Sequence, residues 1–263
     1  MISKKELYVH DYNTDVLSYI LDLERAMPAI GDYMRNNPDM EIESWMRDKL
    51  VYWVVDLGDQ IGVSIETVQL AISLINNFLA SVHTKRAVLQ LVGIVSLMIA
   101  LKFHDSIDYP LDQAIQHCGR IYKKEDLQAT EIFLLQKCEW CLKLPTAAEL
   151  SKQLLYITGV NYDFTKIIER SNSFAMMCYC DYSLNQFSPL VISVVSVVCA
   201  LEQYNQKAFR NQWLKLLKDK IGLDPPVLDQ CKRALVHKLY RETPEKSKEK
   251  LQCLKDSLMK LLS

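Results

Sequence analysis

Cysteine is the residue type in this chain with the clearest chemical potential, because paired thiolates can bind zinc or exchange disulfides. Among eight cysteines, Cys138 and Cys141 form a C-x-x-C pair. No second pair follows at zinc-ribbon spacing, and the surrounding sequence, LLQKCEWCLKL, is amphipathic. We therefore interpret the cysteines as reduced side chains of the core, and we expect no metal and no cofactor.

Enzyme motifs are the second place to look for chemistry. The sequence contains no glycine-rich phosphate loop, no G-x-S-x-G motif and no H-E-x-x-H motif. The histidines are far apart and lack ligand spacing: His10, His83, His104, His117 and His237. The sequence therefore favours a non-catalytic protein, with an enzyme as the less favoured alternative.

The composition describes the scaffold that must position any functional residue. The chain has 263 residues, 49 % hydrophobic and 24 % charged, as in an ordinary soluble globular protein. Seven glycines and eight prolines are few, which favours helices over a β-sandwich or a nucleotide-binding α/β fold. The formal net charge of -1 argues against a protein that neutralises phosphates, so we expect no nucleic-acid partner.

The apolar segments do not indicate membrane insertion or secretion. The longest relevant charge-free run, residues 87–101, has 15 residues, short of the roughly 20 that span a bilayer. The N-terminal sequence MISKKELYVHDY has no apolar signal region. We expect an intracellular protein, in the nucleus, the cytoplasm or both, without a membrane partner.

Helical periodicity runs along most of the chain. In residues 64–80, Ser64 can cap a helix whose apolar positions recur at intervals of three and four. Residues 46–57 and 124–140 carry stripes of the same kind. These three segments are predicted to be amphipathic helices.

Proline and capping residues predict where further helices begin. Pro145 ends one helix, and Thr146 with Glu149 forms a capping box for the next. Other predicted starts are Asp163, Ser188-Pro189, Asp224-Pro225 and Thr243-Pro244-Glu245.

Each half of the chain contains one nearly uncharged segment, residues 87–101 and residues 190–201. The second is rich in β-branched residues, but its length, its initial proline and its neighbours favour a helix over a strand. A helix without a polar face must be surrounded by others. We therefore predict an all-α protein with two tandem bundles of about five helices. The predicted divisions are 1–42 (one helix), 43–144, 145–240 and 241–263 (an amphipathic helix).

Several motifs, in order, resemble those of cyclins. The first half reads MRDKLVYW (46–53), SIETVQLAISLINNFLA (64–80) and LQLVGIVSLMIALKF (89–103), similar to the cyclin box. Residues 11–39 resemble the extra N-terminal helix of A- and B-type cyclins. The second half, from PTAAEL to IGLDPPVLDQCKRAL, resembles the second cyclin fold, with D-type features in its last helix.

The resemblance implies two five-helix cyclin folds in tandem and a non-catalytic subunit that activates a cyclin-dependent Ser/Thr kinase. Such a subunit holds the kinase αC helix and activation loop in the active arrangement. Lys102 and Glu131 match the polar pair that binds the kinase near αC. Matching contact positions are Phe103, Leu135, Trp140, Leu142, Val16 and Tyr19.

Local explanations for these residues remain open in the sequence. Lys102 could stabilise the C-terminal end of a helix, and Glu131 could lie on a solvated face. Trp140 and Leu142 could belong to the core. Because both charged residues match the family pattern, the kinase-binding interpretation is favoured.

The resemblance also implies a groove that recruits substrates or inhibitors through an Arg-x-Leu motif. Matching positions are Met46, Leu50, Trp53, Leu89 and Gln90, with Asp56 as partner for the arginine. Asp48 and Lys49 stand where Ala and Ile are usual, which predicts a cationic wall that repels a basic peptide. Alternatively, Met46, Leu50 and Trp53 are only the buried stripe of a helix. Asn76 replaces a usual Asp and removes a charge, which raises a question of stability.

The main alternative is a cyclin-fold transcription or adaptor protein of the TFIIB type that does not activate a kinase. That function calls for a zinc ribbon and basic faces. The most basic run, residues 207–220, carries five cations and one acid and is typical of a solvated helix face.

Overall fold

The computed structural model describes residues 4–27, 31–36, 41–160 and 162–242. Throughout these residues the regular structure is helical, without strands, which confirms the all-α prediction. The N-terminal helices and the first bundle are α1 Lys4–Ala26, α2 Tyr33–Asn36, α3 Ser44–Ile61, α4 Ile65–Ser81, α5 Leu89–Ala100, α6 Leu111–His117 and α7 Lys124–Lys137. The second bundle is α8 Ala147–Tyr156, α9 Thr165–Tyr179, α10 Pro189–Gln203, α11 Lys207–Ile221 and α12 Pro225–Glu242.

The first bundle surrounds α5, in which every residue except Gln90 is buried. Helices α3, α4 and α7 pack against it. A Cβ atom at Gly93 would lie 2.6 Å from a methyl carbon of Leu50, so glycine is needed for α3 to approach α5 this closely.

Helical structure continues on both sides of α5. A 3-10 turn, Arg86–Val88, precedes it, and a π-helical turn, Leu101–Asp105, follows it. The continuous segment Arg86–Asp105 has 20 residues and a mean hydropathy of 1.8, so it is long and apolar enough to cross a membrane, contrary to the 15-residue estimate. It is also 67 % buried inside the protein, and its place at the bundle centre accounts for its apolar character.

The second bundle surrounds α10, and the helix predicted for residues 190–201 is confirmed. Ser188 caps it by accepting a hydrogen bond from the Val191 N–H, and Pro189 occupies the first turn. The β-branched side chains are accommodated because α8, α9, α11 and α12 all pack against this helix.

Most predicted helix starts are confirmed. Ser64 accepts a hydrogen bond from the Thr67 N–H, and Thr146 accepts one from the Glu149 N–H, both at 3.2 Å. The Glu149 carboxylate pairs with Lys143 instead, so only half of the predicted capping box forms. Helix α9 begins at Thr165, two residues after the predicted Asp163. The start predicted at 243–245 lies outside the described residues.

The N-terminal helix packs mainly on the second bundle. Leu17, Ile20 and Leu21 join the hydrophobic core that α8 to α12 form, together with Val51 of α3 and Ile72 of α4. The two bundles are therefore joined by apolar packing as well as by the short connection before α8.

Two predictions about surface and core residues need correction. Of the described cysteines, all free thiols, Cys118, Cys178, Cys180, Cys199 and Cys231 are buried as predicted. Cys138 is half-buried against the core of the first bundle, and Cys141 is exposed. The basic run at 207–220 is not wholly solvated, since Arg210 is buried within α11.

Candidate functional site

A charged pair on the first bundle joins the π-helical turn after α5 to the middle of α7. The Lys102 ammonium is 2.8 Å from a Glu131 carboxylate oxygen, with side-chain exposures of 39 % and 20 %. Asp108 lies 3.9 Å from the same ammonium. The structure thus brings together the two charged residues that the sequence singled out, within reach of a partner.

The π-helical turn after α5 positions Lys102. Within that turn, the Asp105 carboxylate accepts hydrogen bonds from the hydroxyls of Thr67 at 2.8 Å and Ser64 at 3.4 Å. Both hydroxyls belong to the N-terminal end of α4. The turn is therefore fastened to a second helix, which holds the outward direction of Lys102 and Phe103; such turns are frequent at functional sites.

Exposed apolar side chains lie in the π-helical turn after α5 and in the loop after α7. Phe103 is 43 % exposed and Trp140 is 65 % exposed, so the alternative that Trp140 belongs to the core is wrong. Glu139 and Trp140 have φ angles of 50° and 59°, a left-handed conformation that strains non-glycine residues. A bond from the Trp140 N–H to the Leu135 carbonyl, 2.9 Å long, supports this conformation.

The remaining predicted kinase contacts are less exposed or lie elsewhere. Leu135 and Leu142 are partly buried against the hydrophobic core of the first bundle. On α1, Tyr19 is 56 % exposed, whereas Val16 packs partly against the second core. Part of the Val16 side chain is thus used in core packing, and only the remainder is accessible.

We call Lys102, Phe103, Glu131, Leu135, Trp140 and Leu142 the α5–α7 patch. Ile132 follows Glu131 on the helical face that also carries Leu135, and it is 54 % exposed. Ile132 was not among the residues predicted from the sequence. The signal was available, because residues 131–135, EIFLL, contain more apolar side chains than one buried stripe can hold.

A shallow groove of about 260 Å³ lies between α3 and the start of α5. Five of the six predicted docking residues line it: Met46, Leu50, Trp53, Leu89 and Gln90. Met46 and Leu50 are buried and form its floor, and Trp53 is half-buried. Asp56 is exposed and does not line the groove, so it is not placed as the predicted acid. Lys49 and Arg86 line it instead.

Comparison with known proteins identifies the family. The family model "Cyclin, N-terminal domain" matches residues 15–143, which include α3 to α7 and the α5–α7 patch. The chain belongs to the cyclin family.

Other cyclins match beyond the first bundle. A G2/mitotic-specific cyclin of Glycine max is 28 % identical over 88 % of this chain and 49 % of the relative. Cyclin-A2 of Homo sapiens is 26 % identical over 93 % of this chain and 55 % of the relative. The chain therefore spans about half the length of these curated relatives.

Solved structures show the same fold. A viral cyclin from herpesvirus saimiri superposes with a TM-score of 0.73 at 15 % identity, covering 85 % of this chain and 96 % of that one. A chain of the CAK complex from Chaetomium thermophilum gives a TM-score of 0.51 at 13 % identity, covering 95 % of this chain and 84 % of that one. Both likenesses concern the helical architecture alone.

The Asn76 substitution in this cyclin lies beside a fully buried arginine. Arg47 donates hydrogen bonds to the Tyr179 carbonyl at 2.7 Å and to the Asn76 side chain at 3.1 Å. It also pairs with the Asp48 carboxylate at 3.1 Å, and that carboxylate accepts the Tyr182 N–H at 2.9 Å. Burial raises the pKa of Asp48, and the Arg47 guanidinium opposes that shift.

Asp48 therefore faces the second bundle and not the groove, which corrects the prediction that Asp48 and Lys49 together form the groove wall. Asp48 supplies the carboxylate that contacts Arg47, whereas residue 76 contacts it through an amide oxygen. Because a buried guanidinium without a carboxylate is costly, we expect Asp48 to compensate for the charge that residue 76 lacks.

Proposed function

We propose that this chain is a non-catalytic regulatory subunit that binds and activates a cyclin-dependent Ser/Thr kinase in the nucleus or cytoplasm. The observation that carries the proposal is the α5–α7 patch. In and beside this patch, the partly exposed Lys102–Glu131 pair adjoins exposed Phe103 and Ile132 in sequence, and Trp140 is exposed in the loop after α7. Exposed clusters of large apolar side chains are characteristic of surfaces that bind proteins.

The mechanism follows from the rigidity of this surface. Lys102 and Phe103 are held by a turn that is fastened to α4, and Glu131 by a helix packed on the central α5. A surface that fits only the kinase with its αC helix in the active position shifts the kinase population by its differential affinity. The kinase supplies all groups that react with ATP, and the cyclin supplies binding free energy.

The groove on α3 and α5 has a second part in this proposal. A buried apolar floor with a half-buried tryptophan on one side suits a short linear peptide. We infer that substrates or inhibitors dock there while the kinase acts on a more distant residue. The Arg-x-Leu motif is the partner that the resemblance implies, but the lining residues offer its arginine no carboxylate.

The test begins with affinity capture of the chain and mass spectrometry of the captured proteins, which we expect to return a Ser/Thr kinase. Phosphorylation of histone by that kinase should rise when the chain is added. The double variant Lys102→Ala/Glu131→Ala should abolish the stimulation while helical circular dichroism is unchanged.

The matched control is Asp229→Ala/Arg233→Ala, which removes a surface ion pair from α12. It should activate as well as the parent. If the chain captures a kinase but does not stimulate it, the adaptor alternative gains support. If the Lys102→Ala/Glu131→Ala variant stimulates fully, the proposed surface is wrong.

A further inference from the structure

The groove between α3 and α5 carries positive charge along an apolar floor. Lys49 and Arg86 line it with Met46, Leu50 and Trp53, and no carboxylate is among the lining residues. The Lys49 ammonium lies 4.8 Å from the centre of the Trp45 ring, which is 50 % exposed at the same end of α3. This contact between cation and ring holds the charge at the rim.

Two acids, Glu41 and Glu43, lie near the groove but do not line it, and each keeps its negative charge while it accepts a bond from a neutral N–H. Glu41 accepts a hydrogen bond from the Arg86 backbone N–H at 3.3 Å, and Glu43 accepts one from the Trp45 indole at 3.0 Å. Within the described residues, the side chains of Lys49 and Arg86 take part in no ion pair. Among the described residues, therefore, no carboxylate forms an ion pair with either charge.

We propose that this groove binds a linear peptide whose bulky apolar residue is flanked by acidic side chains, the reverse of a basic docking motif. The apolar residue fills the floor over Met46 and Leu50, and acidic residues beside it meet Lys49 and Arg86. Charge complementarity of this kind sets specificity more than raw affinity. The proposal rests on the docking role of the groove proposed above and names its ligand class.

The volume of about 260 Å³ suits this occupant. It is below the range of about 300–1,000 Å³ that drug-sized ligands and cofactors occupy. A peptide needs only a pocket for one anchor residue, with the rest of its chain on the surface. Trp45 does not line the groove, but its ring contacts Lys49, which does.

Fluorescence anisotropy with the full chain, without kinase, tests the proposal. The probes are labelled peptides that share one Leu-x-Phe core and differ only in their flanks, which are Glu, Gln or Arg. We expect the Glu peptide to bind about tenfold more tightly than the Gln peptide, and the Arg peptide to bind most weakly. Raising the salt concentration from about 0.05 to 0.5 M should reduce these differences.

Variants of the chain test which residues cause the preference among the peptides. Lys49→Glu/Arg86→Glu should reverse the order of the peptides, and Trp53→Ala should weaken all of them equally. Lys49→Arg keeps the charge and should keep the order, which guards against misfolding as the cause. The matched control Lys166→Glu/Lys215→Glu makes the same change in net charge on exposed positions of the second bundle and should leave the order unchanged.

Tightest binding of the Arg peptide, equal binding of all peptides, or no binding of any of them would overturn the proposal. The failure of kinase activation is a separate result. It is measured on a substrate that lacks any docking motif, so a chain that activates the kinase but shows no acidic preference refutes only this inference.

Discussion

The two bundles have the same architecture but place their charges differently. Each surrounds one apolar helix, α5 or α10. In the first bundle the pair Lys102–Glu131 is partly exposed. In the second, Glu202 accepts from Arg210 and Lys232, with side-chain exposures of 2 %, 6 % and 11 %. The Glu202 cluster is enclosed in the second bundle, whereas the Lys102–Glu131 pair is accessible at the surface of the first bundle, which also buries Arg47.

The exposed apolar side chains differ in the same way. On the first bundle they include Phe103, Ile107, Ile121, Ile132, Phe133 and Trp140. On the described part of the second bundle they are Tyr156, Val160, Tyr162, Tyr204 and Tyr240. A tyrosine hydroxyl or a tryptophan N–H can bond to water, whereas exposed Phe and Ile side chains have no polar group and gain most from a partner. The comparison supports the proposal that a partner binds the first bundle.

The largest expected effect tests the buried ions of the second bundle. Glu202→Ala leaves Arg210 and Lys232 buried without a carboxylate, so it should lower the free energy of unfolding by about 3–5 kcal/mol. Urea denaturation measures this. Asp229→Ala breaks an exposed pair on the neighbouring α12 and should change stability by less than about 1 kcal/mol. Equal costs for the two variants would remove the distinction between the bundles.

A smaller effect is expected where the bundles meet. Asp48→Ala removes the carboxylate from buried Arg47 and should cost about 2 kcal/mol, within the range for bonds to charged groups. Adding Asn76→Asp should recover most of that loss, because the Asn76 oxygen already lies 3.1 Å from the guanidinium. Denaturant unfolding of the single and double variants checks this. A double variant as unstable as Asp48→Ala would refute the compensation.

The smallest expected effect depends on pH. Burial alone would raise the pKa of Asp181, but bonds from Ser183 and Lys238 outweigh it and lower the pKa below its ordinary value. The folded state therefore holds fewer protons, and its stabilisation is present above pH about 4 and lost as the pH falls further. Asp181→Asn should cost about 0.5–1 kcal/mol at neutral pH. Thermal unfolding should show the difference shrinking in acid, and a constant difference would contradict it.

The sequence predicted the parts of this molecule that depend on local physical rules. Ser64, Thr146 and Ser188 cap helices where expected, because a cap needs only its own N–H partners two or three residues along. The helix at 190–201 was predictable because an apolar segment of that length between helices has few alternatives. Lys102 and Glu131 were found through the family pattern alone.

The errors concern tertiary direction. A helical residue such as Asp48 has neighbours on two sides, and periodicity does not tell whether it faces the groove or the second bundle. Asp56 was misplaced in the groove for the same reason. Cys141 was assigned to the core because the left-handed turn before it, at Glu139 and Trp140, breaks the helical register of that segment. The sequence has no glycine at these positions that would have predicted the turn.

The central claim is that Lys102 and Glu131 serve a partner and not only each other. The swapped variant Lys102→Glu/Glu131→Lys separates these roles, because it keeps opposite charges at the two positions but reverses the charges that a kinase would meet. Stability alone would be preserved by the swap, as exposed pairs contribute little in either orientation.

The measurement is the stimulation of the captured kinase by the swapped variant, with urea denaturation of the same sample. The account predicts unfolding within about 1 kcal/mol of the parent and loss of nearly all kinase stimulation. A swapped variant that stimulates the kinase as strongly as the parent would contradict it.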